Sequence, residues 1–308
     1  MDVFTAFDAE RIEADRAKGH AFWLDLDDPP EGEIGRVGEL LGLHPLAIED
    51  TREFGQRPKV DVYDDHVLLV FYTAILDESG SMKPIEVHIY VAQDYVLTVR
   101  RQSCMTLDEL RERIHDDPEH PVYEIFDTLT DAFYPVIERL EERIDALEGE
   151  VLIRTRREQL TTIYRLRQEV RELSRLVSVQ RDEFQSASDD LQRLIALGDA
   201  RIYLRDIADH LDQVAGELNR QNDDLASLTS TYFNANADRL NAVAARLTVV
   251  GTLFVLWTLV TGFFGQNFGW LVSNIDSRGD FLTFGIGGLV VPTVILLTVF
   301  WVKRHDWF

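Results

Sequence analysis

The chain has 308 residues and carries 31 basic against 54 acidic side chains, a formal net charge of −23. This charge argues against nucleic acid as a partner and suits divalent cations or basic proteins. The single cysteine, Cys104, excludes a disulfide framework and a thiolate metal cluster.

The first 118 residues are expected to form a cytoplasmic α/β domain, a small sheet flanked by helices. Period-two and β-rich segments predict strands within Ala21–Leu26, Val60–Leu76 and Glu86–Arg100. Helical spacing predicts helices over Ile34–Leu43 and Thr106–His115.

From Pro121 onward the apolar residues repeat with a helical period. The stripes within Tyr123–Leu152 and 158–197 predict antiparallel helices over residues 119–198. A third helix is predicted to run from Asp199 to Phe264, because no proline interrupts it. At 1.5 Å per residue this stalk would be on the order of 100 Å long.

Two uncharged segments near the C-terminus are long enough to cross a bilayer, which takes roughly 20 apolar residues. The first span is predicted at Leu247–Phe264 and the second at residues 281–302. Residues 199–264 would therefore combine the stalk with the first transmembrane helix. An external loop, 265–280, and a basic tail, 303–308, complete this division of the chain.

The charges that flank the spans predict their orientation. Arg239 and Arg246 precede the first span, and Lys303 and Arg304 follow the second, whereas the loop between them is net negative. Positive charge stays on the cytoplasmic side. Residues 1–20 also lack the pattern of a signal peptide. We expect both termini, and the acidic body, to be cytoplasmic.

One face of the first span carries small or weakly polar residues and resembles a pore wall. This stripe comprises Asn241, Ala244, Leu247 or Thr248, Gly251, Val255, Thr258 and Gly262, and leads into Gly265-Gln266-Asn267. A two-helix hairpin cannot enclose a pore, so several copies would have to line one. Ordinary helix packing is the alternative and the better explanation for Gly251 and Gly262 alone, whereas Asn241 and Asn267 favour function.

The first span contains no carboxylate that could replace the water around a divalent ion. Magnesium gives up its hydration shell reluctantly. If a divalent ion passes, the sequence favours selection of the hydrated ion by hydrogen bonds from carbonyl oxygens to its water.

The stalk carries Asp206, Asp209 and Asp212 at three-residue spacing, oxygen ligands that would suit Mg²⁺. From spacing alone, a solvated acidic face is the better interpretation. No Walker A loop, dinucleotide fingerprint or zinc pattern occurs, so an enzyme has no positive support. His44, before Pro45, is predicted to have a structural role.

Four stretches together resemble the CorA family of magnesium and cobalt transport proteins. Gly265-Gln266-Asn267, after the first of two C-terminal spans, is similar to the family's Gly-Met-Asn signature. The segments 43–50 with 57–60, 203–210 and 303–308 resemble its cytoplasmic motif, its stalk pattern and its basic, tryptophan-bearing tail. The resemblance covers nearly all of the chain from about Phe22.

This resemblance implies a funnel-shaped homopentamer that has an α+β cytoplasmic domain, a long-helix stalk and two C-terminal transmembrane helices. Asn267 would form the outer selectivity ring, and Asn241, Ala244, Leu247 and Thr258 fall at family pore-lining positions. Asp50 and Asp206 match carboxylates that bind a regulatory Mg²⁺ across the subunit interface, and Glu49 matches a neighbouring ligand. Bound Mg²⁺ would hold the pore closed.

The chain departs from the family pattern at four positions. Gln266 replaces the signature methionine, and Ala244 replaces a larger apolar gate residue, which leaves the constriction to Leu247. Leu256 replaces a proline, and Asp306 dilutes the basic tail. We expect transport to survive these changes.

The predicted function is uptake of a divalent cation, Mg²⁺ with Co²⁺ or Ni²⁺ as further substrates, through a pentameric pore in the cell membrane. Mg²⁺ would be both substrate and regulatory ligand, with no organic cofactor. The alternatives are a Zn²⁺ transporter of the same superfamily and a membrane-anchored metal sensor or scaffold that conducts nothing.

Overall fold

The structure is a computed structural model that describes residues 2–77, 80–114, 121–194, 200–266, 269–275 and 277–307. Its chain forms two compact units, Met1–Thr229 and Ser230–Phe308. Each unit has its own set of contacts and is described separately below.

A six-stranded mixed sheet organises the first unit. In chain order the strands are β1 (Asp2–Phe4), β2 (Phe22–Asp27), β3 (Lys59–Val62), β4 (His66–Leu76), β5 (Met82–Ala92) and β6 (Tyr95–Arg100). They lie in the order β1-β2-β6-β5-β4-β3. The β1–β2 and β2–β6 pairs are parallel, and the other three are antiparallel.

The helices of this unit cover both faces of the sheet. They are α1 (Ala9–Ala17), α2 (Glu31–Leu41), α3 (Pro45–Arg52), α4 (Met105–Arg113), α5 (Pro121–Asp131), α6 (Phe133–Ile153), α7 (Arg157–Leu194) and α8 (Ala200–Phe264). Side chains alternate across the strands, so Phe22 and Leu24 pack with α1–α3, whereas Trp23 packs with α4, α5, α7 and α8. Burial on both faces explains why β4 has nine consecutive buried residues.

Within the described residues, the predicted strands and helices of this unit are confirmed, with several additions and corrections; the predicted helix ends at His115 and at 195–197 lie outside the described residues. The structure adds β1 and α1 near the N-terminus and α3 after His44, and β5 begins at Met82. The stripe predicted over Tyr123–Leu152 is divided at Ala132 into α5 and α6. Pro135 accounts for this break, because it has no N–H to donate to the carbonyl of Asp131.

The core crosses the predicted boundary at residue 118. Ile125, Phe126 and Leu129 of α5 share one cluster with Val87 and Ile89 of the sheet. Residues 1–118 and 119–198 therefore differ in secondary structure but contribute to the same core. The predicted α+β class, followed by long helices, is confirmed.

The second unit contains the end of α8 and the C-terminal helices. These are α9 (Gly269–Asn274), α10 (Arg278–Asp280), a π-helical turn (Phe281–Ile286) and α11 (Gly287–Trp307). The uninterrupted α8, of 65 residues, confirms the predicted stalk and first span as one helix. Two helical segments, Arg201–Phe264 and Arg278–Val302, contain stretches long and apolar enough to cross a membrane.

Candidate metal sites and pore-lining segment

The predicted ligands Glu49 and Asp50 lie near the end of α3. The helix begins at Pro45, and His44 caps it by accepting a hydrogen bond from the Leu46 amide at 3.3 Å. The His44 ring also stacks on Tyr63, with 4.7 Å between centroids. These contacts give His44 the structural role that the sequence predicts.

Both oxygens of the Asp50 carboxylate already have partners. Oδ2 lies 2.6 Å from Lys59 Nζ, and Oδ1 lies 3.3 Å from Gln56 Nε2. Lys59 Nζ also lies 2.8 Å from Asp61 Oδ2. Partial burial lowers the pKa of Lys59, but its hydrogen bonds to Asp50 and Asp61 outweigh this and raise it above its ordinary value. Any cation that binds Asp50 must therefore displace this ammonium or share the carboxylate with it.

Glu86 holds the loop that connects Asp50 to Lys59. Its carboxylate accepts hydrogen bonds from the backbone amides of Gly55 at 2.5 Å and Gln56 at 3.3 Å. His88 Nε2 lies 2.8 Å from Glu86 Oε1, and the Tyr72 hydroxyl donates to Glu86 Oε2 at 3.0 Å. Burial raises the pKa of Glu86, but these hydrogen bonds and the charge interaction with His88 hold it below its ordinary value.

Asp206 lies in a separate cluster, formed where α8 packs beside α5. The Tyr123 hydroxyl donates to Asp206 Oδ2 at 2.8 Å, and His210 Nε2 lies 3.9 Å from the same oxygen. His210 Nδ1 approaches Asp127 Oδ1 to 3.2 Å and Asp131 Oδ1 to 3.9 Å. Neither Asp127 Oδ1 nor His210 Nδ1 has a hydrogen bond of acceptable geometry among the described residues.

This second cluster has the composition of a cation site. One ligand atom from each of Asp127, Asp131 and His210 lies within 4.8 Å of the other two. Burial, together with Asp206 and Glu124, raises the pKa of Asp127 despite the opposing effect of His210. Burial and Asp127 likewise raise the pKa of Asp131. A bound cation would relieve the electrostatic repulsion that raises these pKa values.

Within one chain, the predicted regulatory ligands Asp50 and Asp206 have different partners. Asp50 contacts Lys59 and Gln56, Asp206 contacts Tyr123 and His210, and these described contacts share no residue. Glu49 is exposed.

In the second unit, the side chains predicted to line a pore are exposed, as are most side chains of the span outside one half-buried stripe. Asn241, Ala244, Leu247, Thr248, Gly251, Val255, Thr258 and Gly262 are all exposed. A neighbouring stripe is half-buried at helical spacing: Ala242, Ala245, Val249, Leu253, Leu256, Val260 and Phe264. Trp257 Nε1 donates to Thr293 Oγ1 of α11 at 2.9 Å. The half-buried stripe includes Leu256, the residue that departs from the family proline.

The threonine hydroxyls of this segment are satisfied within the helix. Thr248 donates to the Ala244 carbonyl at 2.9 Å, and Thr258 donates to the Phe254 carbonyl at 2.7 Å. Their hydroxyl protons are therefore used internally. The oxygen lone pairs remain available as acceptors for water.

The segment after α8 provides the beginning of the predicted filter. A Cβ at Gly265 would lie 3.0 Å from the Thr261 carbonyl oxygen, so the close turn favours glycine. Gln266 is exposed. Asn267 lies outside the described residues. Lys303 and Arg304 fall within α11, where only the backbone is described.

The chain combines an α+β unit with two C-terminal helices long and apolar enough to cross a membrane, and its family match makes it a transporter rather than an enzyme. The chain belongs to the CorA-like Mg²⁺ transporter protein family, whose family model matches residues 18–304. It is therefore a CorA-family divalent cation transporter.

Individual relatives cover most of the chain. The cobalt/magnesium transport protein CorA of Thermotoga maritima is 26% identical over 314 residues, which cover 99% of this chain and 88% of that protein. The zinc transport protein ZntB of Photorhabdus laumondii is 23% identical over 306 residues, 94% of this chain and 84% of the relative.

A solved structure shows the same fold. The CorA magnesium transporter from Methanocaldococcus jannaschii superposes with a TM-score of 0.76 at 20% identity, covering 93% of this chain and 91% of the other. At this identity the similarity concerns the fold.

Proposed function

We propose that this protein conducts Mg²⁺, with Co²⁺ and Ni²⁺ as further substrates, through a homopentameric pore in the cell membrane whose five α8 helices form the wall. The observation that carries the proposal is the composition of the exposed stripe from Asn241 to Gly262. Its residues are mostly small or weakly polar, whereas the other exposed faces of the span carry large apolar side chains such as Phe254, Leu259 and Phe263. A face of small and weakly polar residues left uncovered in a bilayer requires a partner or water.

The pore would pass the ion with its hydration shell. The described part of the pore stripe carries no formal charge, and its threonine oxygens accept hydrogen bonds rather than replace water around Mg²⁺. Gly265, Gln266 and Asn267 would form the selective ring at the outer end of the stripe. The Gln266 carbonyl keeps a polar acceptor at the position where the family has methionine. Conduction should therefore survive the substitution.

Regulation would come from Mg²⁺ bound at the cytoplasmic carboxylates. Asp50 and Glu49 of one subunit would face Asp206 of its neighbour. The pKa values of Asp127 and Asp131, raised by burial and electrostatic repulsion, support a cation at the Asp206 cluster. Bound Mg²⁺ would hold the closed state, and its loss would let the acidic subunits separate. A ligand that binds the closed state more tightly is sufficient for this linkage.

The test is Mg²⁺ influx into proteoliposomes that contain the full-length protein or its Asn267→Ala variant. The proposal predicts influx that the substitution abolishes and that Mg²⁺ on the cytoplasmic side inhibits. Asn274→Ala, an exposed position at the end of α9, is the matched control and should retain influx. Absence of flux from correctly assembled protein, or flux unaffected by Asn267→Ala, would contradict the proposal.

Transport of Zn²⁺ is the second candidate function. The similarity to a zinc transport protein and the imidazole of His210 beside two carboxylates both favour it, because imidazole suits Zn²⁺ better than Mg²⁺. Parallel flux measurements with Zn²⁺ and Mg²⁺, with and without a pH gradient, separate the two candidates. Influx of Zn²⁺ without influx of Mg²⁺ would assign the protein to zinc transport.

The predicted localisation follows from the same proposal. The protein would lie in the cell membrane with both termini in the cytoplasm, and its partners would be further copies of itself and the lipid bilayer. The flanking charges Arg239 and Arg246 support this orientation. Protease added outside sealed cells should leave the α+β unit intact.

A further inference from the structure

The turn between α6 and α7 displays apolar and basic side chains side by side. Leu152 is 66% exposed and Ile153 is 88% exposed, the largest value among the exposed large hydrophobic side chains of the described chain. Arg154, Arg156 and Arg157 are also exposed. We call these five residues the hairpin tip. It carries three positive charges and no acid, in a chain whose net charge is −23.

The exposure of the hairpin tip is fixed by hydrogen bonds. The side chain of Gln159, only 5% exposed, accepts from the Arg156 amide at 2.7 Å and donates to the Arg154 carbonyl at 3.2 Å. The Arg154 amide donates to the Glu150 carbonyl at 2.9 Å and ends α6. Buried Thr155 anchors the middle of the turn. The five side chains therefore project from an ordered turn.

The hairpin tip lowers the stability of the first unit when that unit is surrounded only by water. Arg156 and Arg157 lie at the N-terminal end of α7, where the helix dipole disfavours positive charge. Leu152 and Ile153 leave apolar surface in water. Among the described residues, the three tip guanidinium groups form no ion pair that would compensate. A partner that accepts cations and apolar groups together would offset both costs.

The contacts within the first unit show towards which end the hairpin tip points. Helix α7 is antiparallel to α8, because Arg181 pairs with Asp212 at 3.0 Å and Ser174 bonds to Asn219 at 3.2 Å. The N-terminal end of α7 therefore lies at the end of the unit where α8 leaves it. Along the chain, α8 continues from there into the apolar segment.

We propose that the hairpin tip docks onto the headgroup layer of an anionic lipid bilayer. The arginine guanidinium groups would bind lipid phosphates with paired hydrogen bonds, and Leu152 and Ile153 would insert between the headgroups. A soluble phosphate would use the arginines but leave both apolar side chains in water. A surface of another copy that combines acidic and apolar side chains is the competing occupant, which the quenching experiment below distinguishes. An anionic bilayer provides phosphates for the three arginines and an apolar environment for Leu152 and Ile153.

The expected effect follows from the surface potential of an anionic membrane. Each basic residue at such a surface contributes roughly a fivefold change in the docking equilibrium, so removing three should shift it roughly 100-fold. The attraction falls off within about 10 Å at 0.1 M salt. Docking should therefore weaken in high salt and in neutral lipid.

A fluorescent probe next to the tip can report docking in the full-length protein. The probe is attached at Glu158→Cys, because Glu158 is exposed and its replacement preserves all five tip residues. The native Cys104 is buried and can remain. The labelled protein is reconstituted into phosphatidylcholine vesicles with or without phosphatidylglycerol. A nitroxide attached to the lipid headgroup then quenches a probe that touches the membrane. We expect strong quenching in the anionic vesicles and weak quenching in the neutral ones.

Substitutions then identify the side chains responsible. The triple variant R154Q/R156Q/R157Q and, separately, L152S/I153S should reduce quenching to the neutral-lipid level. The matched control R165Q/R171Q/R175Q removes three exposed arginines from the same helix and should leave quenching unchanged.

Four results would overturn the proposal. The first is equal quenching in neutral and anionic vesicles, a comparison that needs no tip substitution. The second is quenching that persists in the triple variant or falls equally in the control. The third is loss of quenching with added inorganic phosphate at constant ionic strength, which would identify a soluble anion as the occupant. A probe protected from a water-soluble quencher but never quenched by lipid would indicate contact with another copy instead.

Discussion

Lys59 Nζ lies 2.6 Å from Asp50 Oδ2 and 2.8 Å from Asp61 Oδ2, so one ammonium bridges two carboxylates beside the proposed regulatory site. Before a divalent cation can use the Asp50 carboxylate fully, Lys59 must move towards Asp61. The protein thus contains its own competitor for the metal, and Asp61 provides the alternative partner for that competitor.

Replacement of Lys59 by methionine should make cytoplasmic Mg²⁺ a stronger inhibitor of transport. The competing charge is lost while the aliphatic stem is preserved, so the half-inhibiting Mg²⁺ concentration should fall roughly three- to fivefold, as for a partly exposed ion pair. Asp61→Asn should act in the opposite direction, because Lys59 would then pair with Asp50 alone. The measurement is flux into proteoliposomes over a range of cytoplasmic Mg²⁺ concentrations.

Lys83→Met is the matched control for this experiment, since Lys83 is exposed on β5 and should leave inhibition unchanged. A shift of the same sign for Lys59→Met and Asp61→Asn would show that the ammonium does not compete with the metal.

Asp127→Asn should have opposite effects on the metal-free and Mg²⁺-loaded protein. Burial and neighbouring acids raise the pKa of Asp127, so its ionised form is a cost of folding without metal. The variant should therefore raise the apparent Tm in a chelator. It should also weaken the Mg²⁺-induced rise in Tm, with apparent affinity roughly tenfold lower or more.

The pH dependence of this effect has a definite sign. Between the ordinary and raised pKa values, the folded protein binds more protons than the unfolded chain. Metal-free wild type should therefore gain stability at this cluster as pH falls through the raised pKa, while Mg²⁺ binding weakens. Asp209→Asn, an exposed change on the same helix as His210, is the control. Equal Tm profiles for Asp127→Asn and Asp209→Asn would remove Asp127 from the site.

Glu86→Gln should loosen the loop that carries Gln56 and lower stability by about 1–3 kcal/mol, because charge-assisted hydrogen bonds to buried groups are lost. The amide of Gly55, which donates to Glu86, should exchange its hydrogen faster. The folded pKa of Glu86 is depressed. Its stabilisation is therefore present above the ordinary glutamate pKa and is lost as pH falls through the folded value.

Glu53→Gln, an exposed change in the same loop, should leave both stability and Gly55 exchange close to wild type. If the two substitutions behaved alike at neutral pH, the network centred on Glu86 would not be what holds the loop.

The periodic parts of the fold could be predicted from the sequence, but short and context-dependent parts could not. Helix α8 is predictable because its apolar residues recur at helical spacing and no proline interrupts them. By contrast, β1 has three residues and depends on its parallel pairing with β2. Pro84 obscured the start of β5. It pairs with Ala74, whereas the pairing of β5 with β6 begins only at Val87, so no donor to β6 is required there.

The candidate metal site around Asp206 was likewise predictable only in part. Asp206 could be found from its motif, and His210 from its position one turn later. Asp127 and Asp131 share four-residue spacing on α5, but a solvated helix face carries such pairs as well. Only the packing of α5 beside α8 brings them to His210. The competing contact between Lys59 and Asp50 similarly depends on the loop held by Glu86.

Cysteine substitution along α8 provides the most direct test of the account. Thr258→Cys lies on the proposed pore stripe and Leu253→Cys on the stripe packed within the hairpin. Mg²⁺ influx into proteoliposomes is measured for each variant before and after a positively charged, water-soluble thiol reagent. The account predicts strong block for Thr258→Cys and little change for Leu253→Cys. Block at Leu253→Cys alone, or undiminished influx through fully modified Thr258→Cys, would contradict a pore lined by this face of α8.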